Sequence, residues 1–470
     1  MIEVPLRPAQ VLTVDAVTSD DEPKGRGERG DVVHPLRVVV VSHASDSIGR
    51  MGRTPGGHLR RPLGFAMWVI PTSKKGLTMP VAVIVDAVRT PGGKRNGKLK
   101  NWHAVDLASE ALRAIARRNN LDPALIDDVI MGCVSQVGEQ AFNVGRNAVL
   151  AAGWPESVPA TTIDRQCGSS QQALHFAAQG VMAGAYDIVV AAGVEVMSRV
   201  AMGSSVAQNA GFPFGPRVAE RYAPVGGLKN QGIGAEMIAD QWGITREQLD
   251  AFSAESHRRA ARATAEGRFE REILPVYVRD ENGELTDELM TTDEGIRPES
   301  SVETLAKLKP AFKEDGKVTA GNSSQITDGA SAVLIMSEEK AHELGYTPRA
   351  RFHAFALAGV DPVTMLTGPI PATTKVLAKS GLTLEDIDLI EINEAFASVV
   401  LAWQKELGVD LAKVNVNGGA VALGHPLGAS GAKLCATLLN ELERTGGRYG
   451  LLTMCEGGGL ANATIIERLG

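Results

Sequence analysis

Two distant stretches of this chain resemble each other closely enough to predict a duplicated fold. Residues 121–130 (LDPALIDDVI) match residues 382–391 (LTLEDIDLIE), so that Asp127 corresponds to Asp388 at a spacing of 261 residues. Each stretch follows an Ala-, Lys- or Arg-containing helical pattern and ends in a strand pattern. A repeat of this kind indicates that one structural unit occurs twice.

The segments around the repeat alternate between strand and helix patterns. The β-branched runs VAVIVDAV and DDVIMGCV flank the helical pattern LASEALRAIARRNN, an order typical of parallel strands joined by crossover helices. Residues 81–93 and 350–362 also resemble each other, since each reads as a strand followed by a turn. The sequence therefore predicts an α/β protein with two similar halves.

Breaks in this pattern predict the boundaries of the chain's parts. We expect an N-terminal extension at 1–78, a first half at 79–346 and a second half at 347–470. Residues from about 197 to 325 contain Gly/Pro loops and long amphipathic helices, which indicate an inserted loop domain. The extension lacks a sustained period, so we expect it to be disordered, or Met79 to be the true start. Arg60 and Arg61 precede a short apolar run, which leaves an export signal as an alternative.

Composition excludes several classes of function. The 470 residues carry a formal net charge of −7, and no basic stripe with interleaved aromatic residues is present, so we expect no nucleic-acid partner. No apolar run approaches the length of a membrane-spanning helix, so we expect no membrane insertion. The four cysteines, Cys133, Cys167, Cys435 and Cys455, are too few for a disulfide scaffold. We therefore expect a cytoplasmic protein in which a special cysteine acts through its thiolate.

Cys167 lies where a strand pattern gives way to a helical one. In TTIDRQCGSSQQALHFAAQGVMAG, the apolar residues after the cysteine recur at the spacing of one buried helix face. This predicts that Cys167 lies at a helix N-terminus, where unpaired N–H groups and the helix dipole favour a thiolate. Burial as an unreactive thiol is the commoner fate of a cysteine, and it suits Cys435, which apolar neighbours flank.

His425 and Asn393 are candidates for contact with a substrate. His425 lies in VNVNGGAVALGHPLGASGAKL, whose glycines leave room for close approach to the ring. Asn393 follows the strand pattern LIEI, and its amide could hold a water or polarise a carbonyl. A buried core histidine and an ordinary turn residue are the structural alternatives.

Cys455 ends a strand pattern that runs into three glycines in LLTMCEGGG. The N–H groups of successive glycines can converge on an oxyanion. Two cysteines, a histidine and an asparagine in such positions are consistent with a thiol acyltransferase site.

Five short motifs, taken together and in order, resemble those of the thiolase family. They are DRQCGSS around Cys167, GNSSQITDGA from Gly321, NEAF from Asn393, GGAVALGHPLGASGA around His425, and CEGGG from Cys455. The resemblance covers residues 79–470. It implies a thiolase-like α/β fold, in which two similar halves form five layers (αβαβα), a loop domain is inserted in the first half, and the subunits form a homodimer or homotetramer.

The resemblance also implies a reaction between a 3-ketoacyl-CoA and coenzyme A that releases acetyl-CoA. Cys167 would be acylated, His425 would take the thiol proton, and Cys455 would supply or remove a proton at the α-carbon of the acetyl unit. One oxyanion hole would consist of His425 and a water held by Asn393, and the other of the backbone N–H groups of Cys167 and Gly457. Coenzyme A would be a substrate, with no permanently bound cofactor and no metal.

Further residues match positions that bind the substrate in the family. Those for coenzyme A are Arg297 against the adenine, and Ser324 and Phe312 along the pantetheine. Those near the acyl pocket are Phe396, Met365 and Gln231. At the last position many members carry Met, often preceded by His, whereas this chain has Asn230-Gln231. The preferred acyl chain therefore stays open.

Other functions remain as alternatives. A biosynthetic acetoacetyl-CoA thiolase would use the same residues to condense two acetyl-CoA molecules. A ketosynthase would need two histidines where Asn393 and Cys455 stand. A non-catalytic acyl-CoA or lipid carrier would not need a thiolate at a helix end.

Overall fold

The computed structural model describes residues 79–206 and 211–470. The predicted extension at 1–78 lies outside these residues. Within them the chain forms twelve strands: β1 (Ala82–Arg89), β2 (Gly93–Lys94), β3 (Asp128–Gly132), β4 (Ala160–Ile163), β5 (Ile188–Val196), β6 (Val276–Arg279), β7 (Leu285–Met290), β8 (Thr327–Ser337), β9 (Ala350–Gly359), β10 (Leu389–Ile392), β11 (Tyr449–Glu456) and β12 (Leu460–Arg468).

The same residues form twelve α-helices and five short 3₁₀ turns. The helices are α1 (Ala104–Arg118), α2 (Val144–Ala151), α3 (Ser169–Met182), α4 (Pro216–Tyr222), α5 (Gln231–Gln241), α6 (Arg246–Ala265), α7 (Val302–Leu305), α8 (Glu338–Glu343), α9 (Pro369–Ser380), α10 (Ala397–Leu407), α11 (Ala420–Leu423) and α12 (Ser430–Thr445). The 3₁₀ turns are Pro123–Leu125, Gly138–Gln140, Ala223–Val225, Leu411–Lys413 and Leu427–Ala429. None of the described helices is long and apolar enough to cross a membrane.

Ten strands form one mixed sheet that contains both halves. The strand order is β10-β11-β12-β9-β1-β8-β5-β3-β4, and β2 pairs with β8. In the first half β3 and β5 are parallel and β5 and β8 antiparallel; in the second, β10 and β11 are parallel and β11 and β12 antiparallel. The halves join where β1 and β9 pair through Val83–Arg351 and Ile84–Ala350. The predicted duplication is confirmed in the order and direction of these strands.

The repeated aspartates make the same contacts in both halves. Oδ2 of Asp127 accepts hydrogen bonds from the backbone N–H groups of residues 187 and 188, at 2.7 and 2.9 Å. Oδ2 of Asp388 accepts them from residues 448 and 449, also at 2.7 and 2.9 Å. Each carboxylate therefore fixes the start of the neighbouring parallel strand. The offset of 261 residues that relates the aspartates before β3 and β10 also relates the strands β5 and β11 that they contact.

Two central helices lie between the halves, and this gives the five layers. α1 and α2 pack on the outer face of the first half, and α9 and α10 on that of the second. α3 and α12 share one apolar core with strands of both halves. α12 is buried on all sides from Ser430 through Leu442, as expected for a helix that packs between the two halves of the sheet.

Glycines allow the start of α12 to touch the first half directly. A Cβ on Gly431 would lie 2.1 Å from the backbone N of Gln171 in α3, and a Cβ on Gly428 would lie 2.6 Å from the Cα of Cys133. Only glycine fits such backbone contacts without displacing one chain. The segment from His425 to α12 is thereby held against the elements that carry Cys167.

The segment predicted as a loop domain forms its own helices and a small sheet. Residues 197–325 contain α4 to α7 and the antiparallel pair β6–β7. Thr245 and Gln248 form a capping box at the start of the long helix α6. The described parts of this segment contribute several side chains to the cavity considered next.

Candidate active site

A cavity of about 470 Å³ brings together side chains from both halves and the inserted segment. Cys167 and His425 line it, as do Arg297, Phe312, Ser324, Gln231 and Phe396. Most of the residues singled out in the sequence therefore meet at one place. Another cavity, of about 270 Å³ between α6 and α10, contains none of them.

Cys167 is held in the loop between β4 and α3. The residue before it, Gln166, has a φ of +47°, and α3 begins two residues after it, so the predicted position at a helix start is confirmed. The backbone N–H groups of Gly457 and of Cys167 itself act to lower the pKa of the Cys167 thiol. Burial nevertheless raises the pKa of Cys167 to about 12, and the neighbouring Glu456 adds to the rise. The N–H groups at the helix start act in the expected direction, but desolvation of the buried thiol opposes them.

His425 is almost fully buried and is neutral. Burial and, to a smaller extent, the nearby Lys433 ammonium lower the pKa of His425 to about 3. The backbone N–H of His425 lies within hydrogen-bond distance of Thr327 Oγ1 (3.0 Å) and of the Gln325 carbonyl oxygen (3.2 Å). Transfer of the proton from Cys167 would create a thiolate–imidazolium pair in which each charge stabilises the other.

Ser430 decides which ring nitrogen of His425 carries the proton. Its Oγ lies 2.8 Å from the Pro426 carbonyl oxygen and 2.5 Å from His425 Nδ1. A carbonyl oxygen can only accept, so the single hydroxyl proton of Ser430 points to Pro426 and Nδ1 must be the donor to Oγ. Nε2 then carries a lone pair and no proton. The imidazole is thus prepared to act as a base at Nε2.

Asn393 lies beside this nitrogen at the end of β10. Its Nδ2 is 3.4 Å from His425 Nε2, and its buried Oδ1 has no partner among the described residues. The next residue, Glu394, fixes the loop, because its carboxylate accepts bonds from Ser256 Oγ (2.7 Å) and the backbone N–H of Val421 (3.0 Å). The amide of Asn393 is thereby directed at the histidine ring.

Cys455 lies behind the cavity wall rather than on it. It is fully buried at the end of β11 and packs in one apolar cluster with Phe396 and Met365. Burial, and then the charge of Cys167, raise the pKa of Cys455 well above that of an ordinary thiol. The two sulfurs are therefore close enough to interact electrostatically.

The residues matched to substrate binding surround the cavity. Phe312 packs on Gly232 at the start of α5, and its ring meets that of Phe396 edge-on at 6.0 Å. Arg297 is exposed, so its guanidinium is available to an anionic ligand. Gln231 Nε2 lies 3.3 Å from a Cβ built on Gly457, close to the candidate oxyanion hole. Met365 contributes to the apolar cluster behind the cavity but does not line it.

Three residues that support the site escaped the sequence analysis. These are Ser430, Glu394 and Lys433; the Lys433 ammonium donates to the carbonyl oxygens of residues 423 and 424 at 2.5 and 3.0 Å. Each acts on the loops that carry His425 or Asn393. Glu394 lies in NEAF and Ser430 in GGAVALGHPLGASGA. A carboxylate and a hydroxyl among small, apolar residues could have indicated that these side chains form specific hydrogen bonds.

Comparisons with known proteins identify relatives over most of the described residues. The family model "Thiolase, N-terminal domain" matches residues 82–339, and "Thiolase, C-terminal domain" matches residues 346–468. The chain is 52% identical over 399 residues to the steroid 3-ketoacyl-CoA thiolase FadA6 of Mycobacterium tuberculosis, covering 84% of this chain and 96% of that protein. It is 49% identical over 396 residues to a 3-ketoacyl-CoA thiolase of Aliivibrio fischeri, covering 83% and 100%.

Solved structures give the same result for the fold. The acetyl-CoA acetyltransferase of Bacillus anthracis has a TM-score of 0.75 at 41% identity, and human mitochondrial 3-ketoacyl-CoA thiolase has a TM-score of 0.74 at 37% identity. Each match covers 83% of this chain and 99% of the other.

Proposed function

This chain belongs to the thiolase family, and we propose that it is a degradative thiolase, an acyltransferase that cleaves a 3-ketoacyl-CoA with coenzyme A into acetyl-CoA and a shortened acyl-CoA. One observation carries the proposal. Cys167 and His425, whose Nε2 carries no proton, line one cavity, and the backbone N–H of Gly457 acts on the Cys167 thiol.

The first step is the acylation of Cys167. His425 Nε2 takes the proton from the thiol, and the sulfur attacks the C3 carbonyl carbon of the substrate. The C3 oxygen becomes an oxyanion that accepts bonds from the N–H groups of Cys167 and Gly457. In the free site the Gly457 N–H acts to lower the pKa of the Cys167 thiol, which supports its role as a donor to the oxyanion that forms beside the sulfur.

Collapse of this oxyanion breaks the C2–C3 bond. The electron pair passes to the acetyl-CoA fragment as an enolate, whose oxygen accepts a bond from the newly protonated Nε2 of His425 and from a water held by Asn393. The Cys455 thiol donates its proton to C2, which releases acetyl-CoA and leaves a Cys455 thiolate. Burial raises the pKa of Cys455, so the group is still a protonated thiol when the enolate forms.

The second step transfers the acyl group to coenzyme A. The Cys455 thiolate takes the proton of the incoming thiol, and the coenzyme A sulfur attacks the acyl carbon on Cys167. The oxyanion collapses, the Cys167 sulfur leaves, and it recovers its proton from His425. All protein groups return to their initial protonation states.

Binding of coenzyme A is proposed for the side of the cavity formed by the inserted segment. Arg297 supplies a cation for the adenine nucleotide end, and Ser324 and Phe312 flank a path for the pantetheine. No metal and no permanently bound cofactor enter the proposed reaction. The two named 3-ketoacyl-CoA relatives support the degradative direction, and the first of them supports testing a steroid acyl group.

The organisation of the chain is proposed from the same features. A division at residues 346/347 is supported by the gap between the two family-model matches. A homodimer or homotetramer is supported by β4, an edge strand of the sheet whose residues are partly exposed. A cytoplasmic location is supported by the four cysteines, which are all unpaired and of which two must be thiols for the reaction.

Product analysis with a panel of thioesters tests the proposal. Acetoacetyl-CoA, a long straight-chain 3-ketoacyl-CoA and a steroid 3-ketoacyl-CoA are each incubated with coenzyme A, and acetyl-CoA is measured. We expect acetyl-CoA from at least one thioester, and an acyl adduct on the Cys167 peptide after acid quenching. The Cys435 peptide, from a buried thiol outside the cavity, is the internal control. Thioester binding without acetyl-CoA or an adduct would identify a carrier instead.

A further inference from the structure

Glu456 is a buried carboxyl group that the proposed reaction does not use. It is fully buried, and neither of its oxygens has a hydrogen-bond partner among the described residues. It lies between Cys455 and Gly457, and alternation along β11 directs its side chain to the opposite face from Cys455. Leaving a charged carboxylate in such a place costs several kcal/mol, so the group needs a reason to be there.

The carboxyl group presses on the backbone that carries Cys167. A Cβ built on Gly168 would lie 2.0 Å from Glu456 Oε1, so the carboxyl group lies directly against the residue that follows the cysteine. Asn462 Nδ2, 2.8 Å from that same Cβ position, donates to the Gly168 carbonyl oxygen rather than to the carboxyl group. Glu456 therefore contacts Gly168, the residue that follows the nucleophile Cys167 in its loop.

The duplicated fold contains a natural comparison for this residue. Glu195 in β5 occupies the position 261 residues before Glu456, the offset that also relates Asp127 to Asp388. Glu195 is equally buried but accepts bonds from the backbone N–H groups of residues 134, 135 and 428 and from Gln140 Nε2. The equivalent carboxyl group beside Cys167 has no such donors. In the first half, the carboxylate at this position connects loops through hydrogen bonds. In the second half, the equivalent carboxyl group is buried without any hydrogen bond among the described residues.

Few charged groups face Glu456. Arg165 and Asp164 approach it from the loop after β4, Cys167 from the same loop, and Cys455 from its own strand; Asn462, on β12, does not titrate. Arg165 does not form an ion pair with it within the described residues, and Arg165 Nε is itself without a partner. Burial raises the pKa of Glu456 to about 8, against the smaller opposing effect of Arg165. The group is therefore neutral in the physiological range and charged above it.

We propose that Glu456 is a positioning residue that controls the thiolate of Cys167: the neutral carboxyl group allows the thiolate to form, and the ionised group opposes it. The proposal rests on the proposed function for the identity of the nucleophile. The sign follows from Coulomb's law, since a second negative charge beside the sulfur in a poorly solvated site raises the cost of ionising it. By reciprocity, the thiolate also keeps Glu456 protonated during the attack.

Alkylation of Cys167 by iodoacetamide over a range of pH tests the proposed effect of Glu456. The alkylation rate is proportional to the fraction of Cys167 that is thiolate, and the assay needs no acyl-CoA. Full-length protein is alkylated from about pH 6.5 to about pH 10, and the Cys167 peptide is quantified by mass spectrometry. In the wild type the rate should rise with pH and then flatten above about pH 8. In Glu456→Gln it should match the wild type at pH 7 and keep rising, to about tenfold above the wild type at pH 9.5, which is one pKa unit.

Two further variants complete the experiment. Glu391→Gln removes another buried carboxyl group with an unbonded oxygen; Glu391 lies on β10 among other glutamates, and this variant should follow the wild type. Glu456→Asp retains a carboxyl group and should retain the flattening. Superimposed profiles for the wild type and Glu456→Gln would overturn the proposal. If Glu456→Gln does not fold, a wild-type profile without flattening between pH 7 and pH 9.5 overturns it equally.

The outcome is separable from that of the proposed function. A Glu456-dependent profile in a protein that produces no acetyl-CoA would refute the thiolase reaction and leave the control of Cys167 standing. Acetyl-CoA production with unchanged profiles would do the reverse.

Discussion

Replacing Ser430 with alanine should slow catalysis without preventing substrate binding. The hydroxyl of Ser430 accepts the Nδ1 proton of His425 and donates to the Pro426 carbonyl oxygen. In Ser430→Ala the buried Nδ1–H loses its acceptor, so the tautomer with the proton on Nε2 gains in population. That tautomer cannot take the proton from Cys167.

The expected magnitude follows from the lost contact. A buried polar group left without its partner costs about 1–3 kcal/mol, which lowers the fraction of the competent tautomer by about five- to 150-fold. We expect kcat for acetoacetyl-CoA cleavage to fall by a factor in this range. KM for coenzyme A should stay within about twofold, because Ser430 does not line the cavity.

Steady-state kinetics of Ser430→Ala and of a matched control variant test this prediction. Ser398 is also buried, on α10, but its hydroxyl has no partner among the described residues, so Ser398→Ala removes the same atom without breaking a hydrogen bond. Ser398→Ala should retain kcat within about twofold. If the two variants lose the same activity, the assignment of the His425 tautomer to Ser430 is refuted.

Four other variants test the remaining steps. Cys167→Ser should keep the fold, by circular dichroism, and lose more than about a hundredfold in thiolysis, because a hydroxyl is a far weaker nucleophile; acylation of Cys435 in the wild type would contradict the assignment. Cys455→Ala should abolish exchange of the acetyl α-protons measured by NMR while slow acylation of Cys167 continues, and equal loss of both would make Cys455 structural. Asp388→Ala should lower the free energy of unfolding in urea by about 1–3 kcal/mol, since two backbone N–H groups lose their acceptor; an unchanged midpoint would contradict this. Removal of residues 1–78 should leave the specific activity unchanged, because all proposed site residues follow Met79; a soluble but inactive product would contradict this.

Local patterns predicted the parts of the site that depend on neighbouring residues. The repeat identified Asp127 and Asp388, whose contacts prove equivalent in the two halves. The change from strand to helix spacing located Cys167 before α3, and the glycines after Cys455 indicated a turn that presents N–H groups. These features are visible in a sequence because chain geometry over a few residues determines them.

Contacts between distant residues could not be predicted in the same way. The position of Cys167 at a helix start is visible in the sequence, but its burial beside Glu456, 289 positions later, and the resulting rise in the pKa of its thiol are not. The bond between Ser430 and His425 depends on how the 3₁₀ turn before α12 folds back. The junction of the two halves through β1 and β9 rests on two residue pairs with no distinctive sequence.

The order of the site residues along the chain has a consequence for protein synthesis. Cys167 belongs to the half that leaves the ribosome first, whereas His425 and the N–H of Gly457 come from the last fifty residues or so of the chain. Until β11 and β12 have been made, the nascent chain carries an ordinary cysteine without its base and without the second N–H donor. The acylatable thiol therefore comes into existence only when translation is nearly complete, and an incomplete chain cannot capture acyl groups from the cell's thioesters.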